Sequence, residues 1–163
     1  MLWFAPVTRV EGGITGLSQA LLLVFSCLVL FYWFRYNCTV ILRRKVSKDR
    51  AHRVAQANQL SFADLADRFD DLDSEGLGSA DQALSRDYEV LTCLLRYTSA
   101  IQPGGFTFDQ RLLMLDFKIQ QRWFAVTHRW LGATARHTLQ ERVNILTHFA
   151  NTVGKRSAAL SRA

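Results

Sequence analysis

Hydrophobic positions fall into two regimes along the 163 residues. From Ile14 to Phe34 the chain is apolar without periodicity, 21 residues lacking any charged side chain. Beyond Leu60 apolar residues recur at three- and four-residue steps between polar ones. The first pattern predicts one helix spanning the roughly 30 Å hydrocarbon core of a bilayer. The second predicts amphipathic helices that bury one face against each other.

The second regime divides at its helix breakers. Leu60 to Phe69 predicts a short helix with Ser61 as N-cap, and Asp70 to Ala80, acidic and holding Gly76 and Gly78, predicts a hinge. A helix over about 81–101 carries Leu84, Tyr88, Leu91, Leu95 and Thr98 on one face and stops before Pro103. The next opens on a capping box of Thr107 and Gln110. Its stripe runs through Phe108, Leu112, Leu115, Ile119, Trp123, Val126 and Trp130, the strongest periodic signal outside the apolar run. An extra apolar set, Leu113, Phe117 and Phe124, widens that stripe and predicts a central helix, with an exposed partner surface as the alternative. A last helix over about 134–153 carries Leu139, Val143, Leu146, Phe149 and Val153, with Gly154 as C-cap.

No strand-like alternation competes, so the expected fold is all-α: one N-terminal transmembrane helix, then a small antiparallel bundle of three longer helices plus a short one. The expected segments are a non-cytoplasmic terminus (1–13), the membrane helix (14–34), a basic juxtamembrane stalk (35–59), the short helix with the acidic hinge (60–80) and the bundle (81–160).

Charge orients the membrane helix. Only Arg9 precedes it, whereas Arg35, Arg43, Arg44, Lys45, Lys48, Arg50 and Arg53 follow closely, which puts the C-terminal side in the cytoplasm. The uncharged length and the aromatic exit Phe31 to Phe34 fit an uncleaved anchor better than a signal peptide. The whole formal charge of +6 lies before residue 54, because positive and negative side chains balance beyond it. Arg43, Arg44, Lys45, Lys48 and Arg50 are therefore candidates for contact with anionic lipid headgroups, alongside their plainer role of enforcing topology. Gly12, Gly16 and Ala20 recur every four residues beside Gln19, a candidate face for pairing with a second membrane helix. Cys38, at the juxtamembrane edge, is a candidate for acylation or an inert small residue.

Residues 60–90 are acidic and residues 91–163 basic, so the first could fold over the second or dock a basic partner. The stretch from Phe62 to Leu84 contains Asp71, Asp73 and Glu75 followed by Gly76, and over about 24 residues it resembles a calcium-binding EF-hand. That resemblance implies ligands at Asp71, Asp73 and Glu75 and a turn at Gly76. The twelfth loop position, however, is Gln82 where a bidentate carboxylate belongs. A solvated acidic linker is the favoured reading.

The four histidines have no metal-ligand spacing, and phosphate-loop, nucleophile-elbow and dinucleotide signatures are missing from the sequence. Arg122, Arg129 and Arg136, interleaved with Trp123, Phe124 and Trp130, are the only nucleic-acid candidates, and they read better as the solvated margin of a core stripe. No cofactor, metal, small-molecule substrate or nucleic acid is expected. The sequence points to a non-catalytic single-pass adaptor or accessory subunit of the plasma membrane (the inner membrane, if bacterial). It would contact lipid and hold a protein partner or a second copy at the cytoplasmic face. The alternative is a membrane-tethered sensor or regulator whose EF-hand-like hinge responds to an ion.

Overall fold

The computed structural model describes residues 14–43, 48–68, 72–101, 105–127 and 132–161. Among them are six α-helices and no strand: α1 (Ile14–Leu42), α2 (Lys48–Ala57), α3 (Phe62–Arg68), α4 (Ser74–Ile101), α5 (Phe108–Thr127) and α6 (Gly132–Leu160). The chain divides into two compact units, one up to Asn37 and the other Cys38–Ala163.

Most of the first unit is α1. Its sequence is apolar all round, and the large side chains are correspondingly exposed on every side, Leu22 at 68% and Phe25 at 66%. The 25 residues Ser18–Leu42 are long and apolar enough to cross a membrane. The helix also runs eight residues past Phe34, so part of the expected stalk is continuous with it.

In the second unit, α4 and α6 run parallel and α5 antiparallel to both, an up-down-up bundle. Arg136 bonds to the Leu72 carbonyl and Arg142 to Asp81, which aligns the starts of α6 and α4. Gln121 bonds to Ser85, Phe117 stacks on Tyr88, and Arg156 reaches the Gly105 carbonyl, so α5 descends as its neighbours ascend. The expected faces of α4 and α6 form the core: Leu84, Leu91 and Leu95 meet Leu139, Leu146 and Phe149, all fully buried. Each Å² of apolar surface that these side chains remove from water contributes about 25 cal/mol to the unit's stability.

Several boundaries differ from expectation for identifiable reasons. Helix α4 begins at Ser74, not near 81, because the Asp73 carbonyl accepts the Leu77 N–H and the turn thereby started buries Leu77 and Ala80. Residues 74–80 are thus helix, not hinge, and residues 69–71 lie outside the described ones. Gly154 is not a C-cap but an interior residue of α6, where α2 crosses: a Cβ there would lie 3.2 Å from Val54 Cγ2. The small residue lets Ala51 and Ala55 of α2 bury closely. Helix α6 is therefore the central element, packed against α2, α3, α4 and α5, whereas α5 packs mainly on α6.

The expected N-terminal starts of α3 and α5 hold, unlike the C-cap expected at Gly154. Thr107 and Gln110 bond reciprocally at 3.0 and 3.3 Å at the start of α5. Ser61 gives its carbonyl to the Leu65 N–H at the start of α3. Helix α2 stops in a Schellman turn: Gln59 takes φ +53°, and the Leu60 and Gln59 amides bond back to Ala55 and Gln56.

Candidate functional site

Among the described residues, a buried polar layer, a surface groove and an exposed helix face have chemical content beyond packing. The polar layer lies where α4, α5 and α6 meet. Arg142 falls on the core face of α6, one turn from Leu139 and Leu146, and is fully buried. Its guanidinium pairs with the Asp81 carboxylate, donates to Ser85 Oγ at 3.1 Å and covers the Phe117 ring at 4.5 Å. Ser85 Oγ also accepts a bond from Gln121 at 2.9 Å. Burial pushes the Arg142 pKa down, and the bond and charge of Asp81 oppose that shift.

Two further carboxylates are buried. Asp116 accepts a bond from Gln120 at 2.9 Å within α5. Asp87 accepts the Phe62 N–H at 2.7 Å, so a side chain of α4 caps the start of α3 from across the fold. Desolvation raises the Asp87 pKa above its ordinary 3.8, and the backbone donors of Phe62 and Ser61 and the charge of Arg86 offset only part of that rise. In this layer each of these three charges is turned to a neighbour inside the fold. Of these, the Asp81–Arg142–Ser85–Gln121 set links α4, α5 and α6, whereas Asp87 ties α4 to the start of α3 and the bond of Asp116 to Gln120 stays within α5.

The groove runs over α2, α3 and α6 and encloses about 580 Å³. Its walls combine His52, Arg53, Asp67, Gln140 and Asn144 with Phe62, Ala66 and Val143. It can receive an apolar side chain and hydrogen-bond the backbone that carries it.

The exposed face belongs to α5. The helix buries Gln110, Leu113, Asp116, Phe117, Gln120, Phe124 and Thr127. The set that merely seemed to widen the stripe is the core. The main stripe turns to solvent: Phe108 is 71% exposed, Val126 69%, Trp123 56% and Leu115 54%, with Leu112 and Ile119 half-buried. The two faces lie roughly 120° apart at 3.6 residues per turn. Exposed Arg111, Lys118 and Arg122 line one edge of the stripe. Trp123 and Phe124 therefore do not share a core face as the sequence suggested; only Phe124 is buried.

The remaining predicted positions scatter. Gly16, Gln19 and Ala20 lie exposed on α1, with open space around Gly16, while Gly12 is outside the described residues. Arg43 is exposed and Arg50 half-buried beside Gly154; Arg44 and Lys45 are outside the described residues, as is the side chain of Lys48. Cys38 is fully buried, which removes it as an acylation site. Asp73 starts α4, Glu75 lies in its first turn, and Asp71 is outside the described residues. With residues 74–82 helical, the loop that would wrap an ion is replaced by helix, and no cluster of three metal-ligating side chains occurs among the described residues. The Asp81–Arg142 pair went unread in the sequence. Its signal was a charged residue at a core position of the last helix.

No family model, no curated protein and no solved structure matches this chain.

Proposed function

We propose that this protein is a non-catalytic, single-pass accessory protein of the plasma membrane, with a helical unit that holds a protein partner at the cytoplasmic face. The observation that carries this reading is the pairing, in one chain, of an apolar, exposed helix long enough to span a bilayer with a compact helical unit. Buried Arg142 and Asp87 are engaged in holding that unit's own helices together. The basic residues after α1 favour a cytoplasmic C-terminal side.

The groove over α2, α3 and α6 is the surface best suited to the partner, because it is concave and mixes apolar walls with polar groups. The stripe of Gly16, Gln19 and Ala20 offers a second contact, within the membrane, to a helix of the partner or of another copy. Photocrosslinkers placed at Gln140 and at Gln19 test both in native membranes. The expected result is retention of the chain in the membrane after alkaline extraction and a discrete crosslinked species from Gln140. Release by alkali overturns the anchor, and recovery of the monomer alone from both positions overturns the partner.

A further inference from the structure

The exposed stripe of α5 needs an occupant, since a contiguous apolar ridge more than five turns long is not left in water by a monomeric soluble fold without a role. Its charge identifies that occupant. The three basic side chains of α5 that line the stripe, Arg111, Lys118 and Arg122, are all exposed, with the Lys118 ammonium also lying over the Tyr88 ring of α4 at 5.0 Å, whereas its two acidic residues are withdrawn, Asp109 half-buried and Asp116 fully buried. The solvent-facing surface of α5 is thus an apolar ridge with a margin of one sign. That combination matches the interface of an anionic bilayer, where apolar side chains enter the acyl boundary and lysine and arginine meet the headgroups.

We propose that α5 is an interfacial helix that lies on the surface of an anionic membrane through this stripe, separately from the α1 span. A second copy of the chain fits less well, because contact through the same face adds like-charged edges to a single interface. The proposal rests on the anchored reading only for proximity: an anchor in the same bilayer makes the contact intramolecular, so a stripe of modest intrinsic affinity suffices. It also leaves the α2–α3–α6 groove free for the partner.

Two tryptophans allow the test in the full chain. One variant keeps only Trp123 (Trp3, Trp33 and Trp130 replaced by Phe); a second keeps only Trp33. Each is reconstituted into vesicles of phosphatidylcholine alone or with about one-third phosphatidylglycerol, with and without acyl-chain-brominated lipid. The expected result is that bromolipid quenches Trp123 in the anionic vesicles and several-fold less in the zwitterionic ones. The change Arg111→Glu, Lys118→Glu, Arg122→Glu should weaken the dependence on anionic lipid by about tenfold or more, with helical circular dichroism retained. A Lys triple variant at the same positions should keep it.

Trp123 that remains open to aqueous acrylamide in anionic vesicles overturns the proposal. So does Trp123 shielded from acrylamide yet untouched by bromolipid, which assigns the stripe to a second copy. Trp33 reads the anchor independently: quenching in both lipids supports α1 as a span, and its absence overturns the anchored reading whatever Trp123 does.

Discussion

Helices α5 and α6 are neighbours with similar amphipathic patterns, yet they use their apolar faces in opposite ways. On α6 the predicted face, Leu139, Val143, Leu146, Phe149 and Val153, is the core, and even the arginine within that face is drawn inside. On α5 the stronger stripe faces solvent, and the helix packs through Phe117 and Phe124 together with Gln110, Asp116, Gln120 and Thr127. Periodicity therefore reports that a helix has a face to cover, not what covers it. Long-range partners decide. Phe117 stacks on Tyr88 at 4.2 Å and carries the Arg142 guanidinium, and these contacts turn α5 so that its stripe points outward.

The comparison breaks most visibly at the centre of α6. Phe149→Ala removes a fully buried ring beside Tyr88 and should destabilise the reconstituted protein by about 3–5 kcal/mol in a urea titration. A loss below about 1 kcal/mol would mean that α6 is not the helix around which the unit packs.

The polar layer should come next. Asp81→Ala leaves the Arg142 guanidinium buried without its counter-charge, a loss of about 3 kcal/mol, at the low end of the range because Asp81 keeps partial access to water. The double change Asp81→Leu, Arg142→Met should cost clearly less than Asp81→Ala alone, since it removes the stranded charge and keeps the volume. If instead the double variant is the less stable, the pair contributes net attraction and not only registry.

A smaller effect is expected where α2 meets α6. Gly154→Val places branched carbon against Val54 and the α2 backbone and should cost about 1–3 kcal/mol by overpacking. Thermal unfolding of the reconstituted chain measures it, and a neutral result would show that α2 is not closely packed on α6 at Gly154.

What the sequence revealed and what it hid separate along the same line. The N-terminal helix long and apolar enough to cross a membrane, the faces of α4 and α6 and the capping box of Thr107 and Gln110 were legible because each depends on residues within a few positions of each other. The start of α4 was hidden because two glycines and an acidic run favour a loop locally, and only the burial of Leu77 and Ala80 against the rest of the fold overrides them. Gly154 was misread for the same reason: its smallness answers to Val54, a hundred residues earlier. The charged groups followed suit, with Arg142 meeting Asp81 and Phe62 meeting Asp87 across the chain.

The smallest expected change cuts deepest into the comparison. Leu115 lies in the strongest stripe of the sequence but is 54% exposed, so Leu115→Ser should shift the stability of the helical unit by less than about 0.5 kcal/mol. The adjacent Leu113 is fully buried, and Leu113→Ser should cost several kcal/mol through lost burial and a stranded hydroxyl. The two substitutions are chemically identical and two residues apart on one helix, so propensity and denatured-state effects largely cancel between them. Paired urea titrations in zwitterionic lipid, where the proposed membrane contact is weak, isolate the packing difference. Equal losses at both positions would show that the main stripe of α5 is core after all, and would remove the exposed ridge on which its contact with lipid depends.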